Sequence, residues 1–186
     1  MSFLSSYRYR YLIIGLLLIP LSVSAQVVQE VPERASQGRH VHESARGFWT
    51  LSADTSQPGL NCAVTFVSAR NKGTSFGFFG PTPSVPAGIL VYARPAIPAA
   101  VKPTEIHVAM LFEGEAPVTV RAIHAPSRNG VGHVFIPTKD IRAAIEPIND
   151  VEKNMGLRIG KASVFMIDYD GGKAARSALL GCLAGR

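Results

Sequence analysis

Short apolar runs of period two, cut by glycine and proline, constrain this chain more than any other feature of its sequence. The clearest covers residues 105–112. There Ile106, Val108, Met110 and Phe112 fall on one face, and His107, Ala109 and Leu111 on the other. Residues 62–67 alternate as well, placing Cys62, Val64 and Phe66 together. Residues 74–79, 88–92, 118–123 and 131–136 read as further strands, and order begins with a short apolar run at 47–51. Turn signals separate these runs at 56–59, 71–73, 113–115 and 127–130. Prolines at 95, 98 and 103 mark a long connection that cannot join a central ladder. Contiguous strands with short turns pair antiparallel by default. Charged residues make up only 17% of the chain, which fits a turn-rich β domain.

The period changes after residue 137. Thr138 reads as an N-cap with Asp140 in the first turn, and Ile141, Ala144, Ile145 and Ile148 take helical spacing. Pro147 ends or kinks this helix, and Val151 and Met155 allow one more turn, closed by Gly156. Residues 157–169 read as the last strand. Gly171 and Gly172 form a turn, and residues 173–183 a short helix with Ala175, Leu179 and Cys182 on one face. The predicted fold is mainly β with minor α. It is an antiparallel β-sandwich or curved sheet of about seven or eight strands, with one middle helix and a short C-terminal helix.

The N-terminus supplies an address. Arg8 and Arg10 precede an apolar stretch from Leu12 to Leu21, and Val23, Ser24 and Ala25 offer small residues for cleavage. That order is a secretory signal peptide over residues 1–25, cut after Ala25. The apolar stretch is too short to span a bilayer, which takes roughly 20 residues. No membrane span is therefore expected after cleavage, and the expected location is periplasmic or secreted. Residues 26–46 are polar without a sustained period and read as a flexible leader. Residues 47–186 form the single domain. The first 25 residues hold two of the 19 cations, which leaves 17 against 13 acids. That mild excess without a basic run argues against a nucleic-acid partner. In an exported chain, Cys62 and Cys182 read as one structural disulfide, the alternatives being a redox pair or free thiols. No C-x-x-C is present.

One arrangement points to a family. Trp49 precedes Cys62 at the opening of a strand; several β-strands and the helical segment near Thr138 follow. The chain then closes with a strand, a glycine turn and Ala174-Ala175-Arg176-Ser177-Ala178-Leu179-Leu180-Gly181-Cys182. Over residues 48–182 this resembles small exported alphaproteobacterial proteins distantly similar to the invasion-associated locus B family. The resemblance implies a periplasmic β-sandwich-like domain with no catalytic motif to transfer.

The residues that bear chemistry form no strong motif. His40 and His42 make an H-x-H, which in a regular strand puts both imidazoles on one face, as in some zinc or copper sites. The simpler reading is two histidines in a tail without a third ligand, so no metal is expected. His107, His124 and His133 lie on three strands. His124 or His133 with Asp168 is the pair a hydrolase would use. Asp168-Tyr169-Asp170-Gly171 opens like a calcium loop, but no acid follows it, and it reads as a turn. Ser177 lacks a nucleophile elbow, and no P-loop or dinucleotide fingerprint occurs. Phe76, Phe78 and Phe79 offer either core packing or an aromatic binding strand. No cofactor is expected. The expected function is a non-catalytic binding or envelope-support module with an unidentified protein or small-ligand partner in the periplasm. The alternative is a periplasmic hydrolase.

Overall fold

A computed structural model describes residues 38–185 apart from 55, 57–58, 83–84, 99, 127–130, 151–153 and 162. The signal peptide, its cleavage site, most of the leader and the turn expected at 127–130 lie outside the described residues. Ten strands form one antiparallel sheet. They are β1 (Arg39–Ser44), β2 (Gly47–Ser52), β3 (Ala63–Ser68), β4 (Ser75–Phe79), β5 (Ile89–Arg94), β6 (Thr104–Phe112), β7 (Val118–Ala125), β8 (Gly132–Pro137), β9 (Asn154–Ile159) and β10 (Ser163–Asp168). Among the described residues two helices accompany them, α1 (Ile141–Ile145) and α2 (Gly172–Leu183). The order across the sheet is β1-β2-β3-β4-β5-β8-β7-β6-β9-β10.

The sheet curls around a single main core. Alternation sends Val64 and Phe66 of β3, Phe76 and Phe78 of β4, Leu90 and Tyr92 of β5, and Val108 and Met110 of β6 to the concave side. Phe76 and Phe78 are therefore core residues, 1% exposed. The opposite face of β3, β4, β5, β7 and β8 carries a smaller cluster of Ala63, Phe79, Ile89, Val91, Ala125 and Phe135. Helix α2 lies over β1, β2 and β3 and adds Ala175, Leu179 and Cys182 to the main core. The disulfide Cys62–Cys182 staples it there, with the two Cα atoms 6.0 Å apart.

Curling brings the two ends of the sheet together without closing it. Trp49 of β2 is fully buried, and its indole Nε1 donates to the carbonyl of Asp170, just past β10, at 2.6 Å. Its ring meets Tyr169 edge-on at 6.1 Å and Phe76 at 5.1 Å. Farther along β10, Tyr92 Oη donates to the Phe165 carbonyl at 2.6 Å, and Arg94 Nη1 to the Met166 carbonyl at 3.1 Å. Side chains of β5 thus satisfy backbone acceptors of the last edge strand, one way of blunting an exposed edge. Burial pushes the Tyr92 hydroxyl well above the usual range, so it remains a protonated donor.

Four expectations are corrected. The leader does not run to Arg46: Arg39–Ser44 is an ordered edge strand paired with β2. A bulge between His40 and His42 breaks its alternation and hides the strand pattern. The N-cap of α1 is Asp140, whose carboxylate accepts from the Arg142 amide at 2.9 Å. Thr138 instead ties the β8 end to the β4–β5 connection, donating to the Ala87 carbonyl at 2.6 Å. Met155, expected in one more helical turn with Val151, belongs instead to β9 and is paired with Phe112 and Ile167, while Val151 lies outside the described residues. Finally, residues 157–169 are not one strand. A turn with Gly160 at φ 64° folds them into the β9–β10 hairpin, where Leu157 faces Phe165. Deleting residues 26–46 is accordingly expected to lower the melting temperature by several degrees, since it removes β1 and its bonds to Asp170. A thermal scan monitored by circular dichroism checks this.

Candidate functional site

Polar side chains concentrate at the seam where β1 meets the β10–α2 turn. Ser44 Oγ donates to Asp170 Oδ1 at 2.7 Å, and His42 Nε2 lies 3.7 Å from the same oxygen. Arg46 Nη1 donates to the Tyr169 carbonyl at 3.0 Å. Gly171 takes φ 69°, and a Cβ there would collide with the His42 ring. Glycine is required for both reasons. The site unites a serine, a histidine and an aspartate, but in the wrong order for nucleophilic catalysis. A hydrolase needs the imidazole between hydroxyl and carboxylate, so that it can take the hydroxyl proton. Here the carboxylate sits between the other two and accepts from the serine directly. The arrangement is a latch that holds the first strand to the last turn. Sequence reasoning missed Ser44, Arg46 and Asp170 as a group, because 126 residues separate Ser44 from Asp170.

The H-x-H does not converge. The bulge turns His40 toward Phe48, on which it stacks at 4.8 Å, with Glu43 beside it at 3.7 Å. His42 turns the other way, against Gly171 and Asp170. Among the described residues no three histidine, cysteine or acidic side chains are grouped to hold a metal ion.

The candidate hydrolase residues are likewise held apart. His124 pairs with Val134 and His133 with Ala125, so alternation sends the two imidazoles to opposite faces of the sheet. His124 Nε2 contacts the Pro98 carbonyl at 2.6 Å. His133 stacks on Phe135 of the smaller cluster, with ring centroids 6.2 Å apart. Asp168 meets Arg70 at 3.8 Å. His107 lies exposed beside a bidentate pair in which Arg121 Nε donates to Glu105 Oε1 at 3.0 Å and Nη2 to Oε2. The Arg121 guanidinium holds the Glu105 carboxyl below its ordinary value.

Burial pushes the His133 imidazole below its ordinary value, partly offset by a hydrogen bond with the Val131 backbone. The fold therefore prefers the neutral ring, and the unfolded chain takes the proton more readily. Stability from this residue is complete above the unfolded value of about 6.5 and drains as pH falls from there toward the folded value. Urea titrations across that window are expected to show less acid sensitivity in His133→Gln than in the parent chain.

One cleft of about 180 Å³ opens at the end of the sheet that bears the disulfide. It is lined by Gly59, Pro81, Pro86, Lys139, Arg142 and Leu183, among others. Arg142 Nη2 donates to the Leu183 carbonyl at 3.0 Å, tying α1 to the end of α2. The cleft is smaller than the roughly 300–1,000 Å³ of an ordinary ligand pocket. Its lining contains neither histidine nor a pair of carboxylates. Among the described residues no helix is long and apolar enough to cross a membrane. No family model, curated protein or solved structure matches the chain.

Proposed function

We propose that this chain is an exported periplasmic β domain that acts by binding or by supporting the envelope, without catalysis. The observation that carries the reading is the separation of its reactive side chains. His124 and His133 occupy opposite faces, and Asp168 is taken by Arg70. The serine–histidine–aspartate group at the seam serves as a latch between the first strand and the last turn. The signal-like N-terminus and the resemblance to exported locus B-type proteins support the location. The purified chain is expected to hydrolyse nitrophenyl acetate and nitrophenyl phosphate no faster than free imidazole does. Saturable turnover that disappears in His133→Ala or Asp168→Ala would contradict the reading.

A further inference from the structure

Charge is divided between the two ends of the sheet. The connections at one end are β1–β2, β3–β4, β5–β6, β7–β8 and β9–β10. Their described charged residues are Arg46, Arg70, Lys72, Lys102 and Lys161, with Arg94 closing β5 beside them, and no acid among them. At the opposite end the connections carry Asp54, Glu113, Glu115, Asp140, Glu146 and Asp150 against Lys139 and Arg142. The basic connections lie side by side. A Cβ on Gly73 would come within 3.0 Å of Pro95 Cγ and 3.6 Å of Val131 Cγ2. Arg46 and Arg94 donate to backbone carbonyls, which leaves their charge uncompensated. Of the carboxylates near this end, Asp168 faces Arg70, Glu105 at the start of β6 is held by Arg121, Asp170 accepts from Ser44, and Glu43 lies 3.7 Å from His40.

An apolar tip stands within this basic end. Val101 is fully exposed next to exposed Lys102. A cationic rim around a projecting apolar side chain matches the boundary of an anionic bilayer, where charge attracts and the apolar group enters between headgroups. Single-stranded nucleic acid would instead favour exposed aromatic platforms. We propose that this end docks on the surface of an anionic phospholipid membrane, with Lys72 and Lys102 facing the phosphates and Val101 entering the headgroup layer. The proposal rests on the export reading for its setting, but the two fail separately. An exported chain that ignores vesicles overturns the docking alone. A chain retained inside the cell that binds vesicles overturns the export alone.

The test is co-sedimentation of the exported chain, its N-terminus read by mass spectrometry, with vesicles of phosphatidylcholine with and without phosphatidylglycerol. Binding is expected only with phosphatidylglycerol and is expected to vanish near 1 M salt, where the Debye length is about 3 Å. Reversing both Lys72 and Lys102 to Glu is expected to weaken it roughly tenfold or more. Lys72→Glu alone is compared with Arg39→Glu, which makes the same charge change at the far end of β1, about 17 Å along that strand from Ser44. Lys72→Glu is expected to weaken binding and Arg39→Glu to leave it nearly unchanged. Val101→Ser is expected to weaken binding at unaltered net charge. Equal losses in Lys72→Glu and Arg39→Glu would overturn the proposal. So would binding to duplex DNA without binding to vesicles, or vesicle binding indifferent to Val101→Ser. Unchanged melting temperatures in the variants exclude misfolding as the cause.

Discussion

Replacing both Cys62 and Cys182 by alanine is expected to destabilise the domain by about 4–5 kcal/mol in the chain-entropy description of a cross-link. The bridge closes a separation of 120 residues, nearly the whole domain. Its loss acts first on the unfolded chain, which regains the freedom that the closed loop denies it. It also acts on the native state in one place. Helix α2 has 12 residues, and a helix of that length is marginal alone in water. Its hold then rests on Ala175, Leu179 and Leu183 in the core, on the Arg142 bond to the Leu183 carbonyl, and on the bonds from the Lys173 amide to Asp150 and from Arg176 to the Glu146 carbonyl. Hydrogen exchange is therefore expected to accelerate in residues 172–183 before it does in β3 to β8. Urea unfolding gives the total, and exchange by fragment gives the order. Free-thiol labelling of the native parent chain should find no reactive cysteine.

Trp49→Ala is expected to be comparably severe, at about 3–5 kcal/mol. The indole is fully buried among Phe66, Phe76 and Tyr169. Removing it empties the junction between the second strand and the last turn. It also strands the Asp170 carbonyl that the indole nitrogen serves. Trp49→Phe separates the two effects. It keeps most of the apolar volume and loses the donor, so roughly 1–3 kcal/mol is expected from the unsatisfied acceptor. The two substitutions should also differ in reach. The alanine variant is expected to loosen β1 and β10 together, because Ser44, Arg46 and Trp49 all anchor on Tyr169 or Asp170. A variant whose damage stays local to β2 would show that the seam is not shared.

What could be read in the sequence was what local chemistry dictates. Alternation at Cys62, Val64 and Phe66 places all three in the core, and the spacing of Ala175, Leu179 and Cys182 gives the buried stripe of α2. The cysteine pair follows from an even count in a chain read as exported, with Cys62 just before β3 and Cys182 in α2. The failures share a cause as well. β1 carries Arg39, His40, His42 and Glu43, charge and polarity that suit an edge strand and resemble a solvated tail. Its bulge removes the alternation that would have revealed it. The β9–β10 hairpin turns at Gly160, and the short Gly160-Lys161 break that marks it is easily read through because apolar residues resume on both sides. The Ser44–Asp170 latch was illegible for a different reason, since no local signal predicts which distant backbone a curled sheet will bring alongside. The same holds for the candidate histidines. That His124 and His133 point to opposite faces depends on the β7–β8 register, not on either residue's neighbours.

That seam makes one curled body of the sheet and ties up the polar groups that would otherwise suggest catalysis. Trp49 is the only tryptophan in the chain, so its indole proton gives a single resonance in a ¹⁵N-correlated spectrum. Hydrogen exchange at that one proton reports directly on the bond to the Asp170 carbonyl. The structure predicts strong protection, lost together with that of the β2 and β3 backbone amides. Exchange near the rate of a free indole in an otherwise folded domain would mean that the two ends of the sheet do not meet.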